Sequence, residues 1–303
     1  MAEGRLAAAP GARRRRLHVM VSPTCNNRCL FCLEDRAARA AADFSAQVRA
    51  LEAYQSRDAV LFTCGEPTIA DRLLDLLAAA RRLGYREREV VTNGRRLAYA
   101  GYCRSLVDTG LTAATISIHG ATARAHDGLT RAPGSFAQAV TGLARLAAVR
   151  RAGADLELTT STVVTRGNLS ELAPAVRLFA TFGVSRVVLN FVAPVQEALR
   201  HYDALVPRMA AAAAAIRAIA VPAGLECRVE GLPPCVLAGR GQLAGAREEI
   251  TLFVEGALRP LAPTRDQVKG PPCARCALAE RCDGVWAEYA RRHGWEELTP
   301  VDG

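Results

Sequence analysis

Six times between Leu17 and the alanine-rich run ending at Ala220, a short apolar, β-branched stretch is followed by a longer one whose apolar residues recur at helical spacing. The strand candidates are Leu17 to Val21, Asp58 to Thr63, Val90 to Val91, Leu111 to Ile118, Leu156 to Val164 and Val184 to Val192. The helix candidates are Phe44 to Ala53, Ile69 to Leu83, Leu97 to Val107, Ser135 to Val149, Asn168 to Phe182, and Val195 through the alanine run. This is the rhythm of parallel β/α architecture with right-handed crossovers. An open doubly wound sheet and a partial barrel both satisfy it. A doubly wound dinucleotide fold carries a glycine-rich phosphate turn after its first strand, whereas here that turn bears cysteines and no glycine. The expected fold is therefore α/β, a partial (β/α)6 TIM-like barrel, with its chemistry at the carboxyl ends of the strands.

Those ends carry the polar motifs. Cys25, Cys29 and Cys32 fall within eight residues just after the first strand. Thiolates are the soft ligands that zinc and iron–sulfur clusters select, and three of them on a four-iron cluster leave one iron open for reaction. Free thiols, or a zinc knuckle completed elsewhere, are the plainer readings of the same residues. Cys64-Gly65-Glu66-Pro67 closes the second strand, Thr92-Asn93-Gly94 the third and Ser117 the fourth, with Arg131 in the loop beyond. Singly, each is an ordinary turn or a solvated charge. Their succession at consecutive strand ends points to one shared ligand.

The spacing Cys-x3-Cys-x2-Cys, with Phe31 before the last cysteine, resembles the signature of the radical SAM enzymes. The resemblance implies that Cys25, Cys29 and Cys32 hold a 4Fe-4S cluster whose open iron binds the amino and carboxylate groups of S-adenosylmethionine (SAM). Reductive cleavage then gives a 5′-deoxyadenosyl radical. It further implies that Gly65, Glu66 and Pro67, similar to the family's Gly-Gly-Glu-Pro turn with Cys64 in the first glycine's place, receive the methionyl ammonium. Ser117 and Arg131 would take the methionyl carboxylate and Thr92 and Asn93 the ribose. The adenine would lie against Phe31 and the strand Leu189 to Val192.

Composition narrows the class. With 303 residues, half of them apolar, the chain can bury one large core plus an appendage. The net charge of +9 rests almost wholly on arginine, Lys269 being the single lysine, and Arg5 and Arg13 to Arg16 concentrate part of it in residues 1–16, read as a flexible basic tail. Aromatic–basic interleaving is lacking, so a zinc protein on nucleic acid is the remote reading, and it leaves the Gly-Glu-Pro turn unexplained. Ten cysteines without a preceding signal-peptide pattern suggest a reducing, cytoplasmic setting rather than a disulfide frame. The stretch Met209 to Ala220 is too short and too charged, at Arg217, to span a membrane.

After the barrel, taken as residues 17–222, residues 223–303 turn proline- and glycine-rich, with one strand candidate at Glu249 to Val254. Such a unit needs a staple. Cys273-x2-Cys276-x5-Cys282, with Cys235 upstream, supplies four thiolates, a closed set suited to structural zinc or to a second cluster without an open iron. This end resembles the twitch and SPASM extensions of radical SAM enzymes, and the cysteine count favours the twitch form with one auxiliary 4Fe-4S cluster. Cys64, Cys103 and Cys227 are left over and read as structural, as do His119, His126, Trp286 and Tyr289.

The resemblance implies hydrogen abstraction from a substrate. A ribosomal peptide or protein is the leading class, and a nucleotide, sugar or cofactor precursor met by cavity arginines is the alternative. An electron donor such as flavodoxin or ferredoxin is implied. Because the tail is too short for a fused leader-peptide-binding domain, a separate one would serve a peptide substrate.

Overall fold

The computed structural model describes residues 15–34, 43–237, 249–254, 256–261 and 266–302, so the residues before Arg15 and the stretch from Gly239 to Gly245 lie outside it. In chain order the first elements are β1 (Arg15–Met20), α1 (Phe44–Ala53), β2 (Ala59–Thr63), α2 (Leu73–Arg82), β3 (Glu87–Thr92) and α3 (Ala100–Thr109). Then come β4 (Ala113–Ser117), α4 (Ala123–Thr130), α5 (Ser135–Arg151), β5 (Glu157–Val164), α6 (Leu172–Thr181) and β6 (Arg186–Phe191). The chain continues through α7 (Gln196–Arg200), α8 (Tyr202–Leu205), α9 (Met209–Arg217), β7 (Glu226–Glu230), β8 (Glu249–Val254) and β9 (Ala257–Pro260). A small ribbon of β10 (Gln267–Val268) and β11 (Val285–Trp286) and the helix α10 (Ala287–His293) follow.

The sheet order is β7-β6-β5-β4-β3-β2-β1-β8-β9. Strands β1 to β7 pair parallel in strict sequence, β8 joins β1 parallel, and β9 turns back antiparallel. The winding never reverses between β1 and β7. A doubly wound sheet would have a switch point, so this is the winding of a partial barrel, with right-handed crossovers keeping the helices on one face. That face is dry: Leu17, Val19, Val60, Phe62, Ile116, Leu158 and Val187 are all fully buried.

The other face is polar and largely self-paired. Arg16 donates to Glu89 at 2.8 Å and to Glu87 at 2.9 Å, and Thr115 adds a hydroxyl to Glu89. Arg186 pairs with Glu226 at 2.7 Å and with Glu157 at 3.4 Å, and Arg228 binds Glu226 as well. Arg16, read from sequence as the end of a solvated tail, is thus a strand residue locked inside the sheet. Period-two alternation had put its side chain on the inner face, a consequence invisible while the first strand was taken to begin at Leu17.

Several expected elements differ. The loop after His119 contains α4, started by Thr122, whose hydroxyl accepts from the Ala125 amide at 3.3 Å. The long helix expected from Val195 breaks into α7, α8 and α9: His201 departs from helical backbone between α7 and α8, and Pro207 cannot continue a helix and biases Val206 to the extended backbone seen before α9. Beyond residue 222, β7 extends the sheet at β6 while β8 and β9 extend it at β1. Among the described residues no helix is long and apolar enough to cross a membrane.

Candidate active site

The loop after β1 is pinned to its neighbours by backbone bonds. Val21 donates to Thr63 O at 2.8 Å, Glu66 to Thr24 O at 2.7 Å, and Arg28 and Leu30 to Thr130 O and Leu129 O. Cys25, Cys29 and Cys32, all half-buried, therefore stand at the carboxyl end of β1 between the ends of β2 and α4. The Asn27 amide donates to Cys25 Sγ at 3.4 Å, an orientation that stabilises a thiolate.

The turn after β2 can pass here only as glycine. Gly65 has φ +58°, and a Cβ on it would lie 2.3 Å from Ser22 O and 2.4 Å from Thr24 O. Cys64 also has positive φ, at 70°. The turn thus presses its backbone onto the cysteine loop, an approach that brings main-chain carbonyls beside the centre.

Glu66 holds a different position from the one its motif suggests. Its side chain is 1 % exposed and both oxygens are occupied from within: Oε1 accepts from Thr68 N at 2.9 Å, from the Thr68 hydroxyl and from Thr92 Oγ1 at 2.6 Å, and Oε2 accepts from Asn93 N at 2.7 Å. Burial raises its carboxyl above the ordinary carboxylate range, the four bonds opposing it. This carboxylate ties the β2 turn to the β3 turn. Pro67 and Thr68 are buried in the one-turn helix that Glu66 caps.

Asn93 in turn reaches the cysteine loop, its Nδ2 lying 2.6 Å from Asn26 Oδ1 and 3.9 Å from Cys25 Sγ. Arg95 braces the same loop through Asn26 O and Asn27 Oδ1. Thr92 is buried and engaged with Glu66, so it is a framework residue, and Asn93 is the more open of the pair.

Ser117 ends β4 in register with Ser161, on the polar face beside the Asn190 to Ser161 bond of 3.0 Å. Arg131 is exposed, in the left-handed backbone region at the end of α4. Phe31 is packed into the core with its ring 4.6 Å from His119, edge to face. Leu189 and Phe191 turn toward the helices, Phe191 lying 6.0 Å from Tyr289, so neither offers its side chain to an adenine on the inner face.

Sequence reasoning passed over several residues that build this site. Glu34 accepts the Gly65 amide at 3.0 Å, Gln47 bonds Met20 O at 2.7 Å, and Asn26 and Asn27 anchor the cysteine loop. The Asn-Asn pair inside the cysteine triplet was the available signal. His119, read as structural, has Nδ1 accepting from the Val163 amide at 3.2 Å, so the neutral ring carries its proton on Nε2. Burial, with His126 beside it, holds His119 well below the ordinary histidine range, and burial takes His126 to about 4.

The C-terminal thiols meet at a second place. Cys235, Cys273, Cys276 and Cys282 line one cavity with Pro233, Leu278 and Lys269. Gly284 N and Val301 N donate at 3.4 Å to Cys282 Sγ and Cys276 Sγ. Burial and the neighbouring sulfurs raise the Cys235 thiol. Among the described residues no three His, Cys, Asp or Glu side chains close on a single ion, at either place. Thiolates are the donors that zinc and iron–sulfur clusters take, so the residue types at both places suit such a centre.

Residues 19–179 match the sequence profile of the Radical SAM superfamily. The chain belongs to the radical SAM superfamily. It is accordingly an enzyme whose family chemistry uses a 4Fe-4S cluster and SAM. Over 124 residues it is 29 % identical to an AdoMet-dependent heme synthase of Nitratidesulfovibrio vulgaris, a match covering 41 % of this chain and 32 % of that protein. The chain thus spans about a third of that relative.

Among solved structures, Streptococcus suis SuiB bound to SAM superposes with a TM-score of 0.64 at 15 % identity, over 95 % of this chain and 76 % of that one. HydG, a maturase of the [FeFe]-hydrogenase, superposes with a TM-score of 0.51 at 15 % identity, over 71 % of this chain and 51 % of that one. At such identities the likeness is one of fold. It supports the partial barrel.

Proposed function

We propose that Cys25, Cys29 and Cys32 hold the SAM-binding 4Fe-4S cluster and that the enzyme abstracts hydrogen from a peptide or protein. The observation carrying the first part is the position of the three thiols at the end of β1, under a Gly65 turn whose backbone touches Ser22 and Thr24. When bound there, the cluster would supply the electron for reductive cleavage of SAM. The chain supplies position. Backbone carbonyls of the Gly65 turn receive the methionyl ammonium, Ser117 and Arg131 the carboxylate, and Asn93 the ribose, while Glu66 fixes the geometry of the two turns.

Arg16, Arg186 and Arg228, near the amino ends of β1, β6 and β7, are paired with Glu87, Glu89, Glu157 and Glu226, so they close the end of the barrel remote from the cysteine loop and do not act as donors to a substrate phosphate. The peptide reading is supported by a structural relative. SuiB, whose fold matches 96 % of this chain and 75 % of its own, has been crystallised with its precursor peptide SuiA. We further assign Cys235, Cys273, Cys276 and Cys282 to an auxiliary 4Fe-4S cluster of twitch type within residues 223–303, with flavodoxin or ferredoxin as the electron donor. A separate leader-binding protein completes the assembly.

Anaerobic reconstitution tests the scheme. About eight irons per chain, and 5′-deoxyadenosine on adding dithionite and SAM, are expected. Cys29→Ala should abolish the nucleoside and leave the auxiliary iron; unchanged turnover in that variant defeats the assignment. Deuterated cell extract, separated by size into peptides and metabolites, should pass deuterium into 5′-deoxyadenosine from the peptide fraction, and transfer from the metabolite fraction alone rejects the peptide reading.

A further inference from the structure

We infer that Lys269 sets the reduction potential of the auxiliary cluster, an inference that rests on the assignment of Cys235, Cys273, Cys276 and Cys282 to that cluster. In a chain whose other basic residues are all arginine, the one lysine stands on the wall of the four-cysteine cavity. Apart from the thiols it is the sole ionisable side chain lining that cavity among the described residues; proline, leucine, alanine, glycine and valine make up the remainder. Its stem is held there. A Cβ on Gly284 would come within 2.3 Å of Val268 O and 3.3 Å of Lys269 Cγ, so the glycine that follows Cys282-Asp283 is what lets β10 and the Lys269 stem lie across the ligand loop. Lys269 is exposed, which places its ammonium at the rim, where a charged head stays solvated while the stem covers apolar wall.

Charge at this rim acts on the electron count. Four thiolates on a 4Fe-4S core leave the assembly net negative, and accepting an electron deepens that charge. A fixed cation nearby favours the reduced form, as do amide donors to the sulfurs such as Gly284 N and Val301 N. Asp283, next to Cys282 in the chain, carries the opposite charge and pulls the other way, so Lys269 is the lining group that offsets it. Lysine suits the place better than arginine because it is a compact point charge with no preference for a bidentate partner. Lys269 touches no reacting atom and acts only through the cluster's potential.

The test isolates the auxiliary cluster in the full-length chain carrying Cys25→Ala, Cys29→Ala and Cys32→Ala, and reads its midpoint by an EPR-monitored redox titration. On that background Lys269→Met should lower the reduced-to-oxidised ratio at fixed potential about fivefold, a shift of about 40 mV downward for a one-electron couple. Lys269→Glu should move it further down and Lys269→Arg should hold it close to the parent value. If all three variants retain about four irons and titrate at the parent midpoint, Lys269 has no such role. If the parent itself binds no iron, it is the auxiliary-cluster assignment that fails, and the inference goes with it.

Discussion

Replacing Glu66 by Gln keeps the shape of the side chain but turns one acceptor oxygen into a donor. Either Asn93 N or the Thr68 and Thr92 donors then face an amide NH2 at a buried position. The β3 turn should lose its position while the cysteine loop, held by backbone bonds to β2 and α4, keeps its own. We expect SAM affinity to fall about tenfold, roughly 1.4 kcal/mol, with the iron content of the first cluster unchanged, as read by equilibrium binding and iron analysis. Wild-type affinity in Glu66→Gln would show that the two turns do not need this link. Gly65→Ala is predicted to be harsher, because its Cβ would collide with two carbonyl oxygens in a left-handed backbone; little folded protein should be recovered. The cysteine triplet and both turns were legible as motifs, since their chemistry lies in residue type and spacing. The working direction of Glu66 was not, because a buried carboxylate that serves neighbouring loops has the same letters as one that serves a ligand.

At the scale of elements, α4 shows why part of the site was hidden. Its eight residues include Gly128 and a single large apolar side chain, Leu129, so a short, mostly polar stretch gives little apolar pattern to read. Asp127, on that helix, organises the start of α5: it accepts from Gly134 N at 2.7 Å, Phe136 N at 2.7 Å and the Ser135 hydroxyl at 2.9 Å. Burial opposes its ionisation, but the donors from Phe136, Gly134 and Ser135 win and hold the carboxyl below its ordinary value of 3.8. A depressed folded value adds stability above the ordinary one and loses it as pH falls through the folded value. Asp127→Ala should therefore cost about 1–2 kcal/mol at neutral pH, the scale of a lost helix cap, and the gap in melting temperature to wild type should close below about pH 4. A gap that stays constant from pH 7 to pH 3 would remove the cap from the account. The strands fared better than the helices' ends: each expected barrel strand is present, because β-branched runs bounded by turns carry their own signature. The partnership of β8 with β1 was not legible, since the sequence contains nothing that tells which parallel edge a distant strand will join.

For the whole molecule, the question is how the residues beyond 266 stay docked on a barrel with which they share no sheet. The ring of Tyr289 is fully buried, and its hydroxyl accepts from Met209 N at 2.8 Å and donates to Glu297. Glu297 also accepts from Ala210 N at 2.8 Å and pairs with Arg208 Nε at 3.3 Å. Two residues of the C-terminal segment thus cap the first turn of α9, whose amides have no partner of their own kind there. Reading Tyr289 as core packing captured the ring but missed the hydroxyl, which is the part that joins the two regions. Tyr289→Phe keeps the ring and strips the link, leaving the buried Met209 amide without its acceptor at a cost of about 1–3 kcal/mol. Because the loss is local to the joint, the C-terminal segment should open before the barrel does: limited trypsin digestion should cut first among Arg275, Arg281, Arg291 and Arg292, and auxiliary iron should be lost faster than iron at the first cluster. If the variant is digested at the wild-type rate and releases both sets of iron together, the docking is carried by apolar contact alone and the Tyr289–Glu297 cap adds nothing to it.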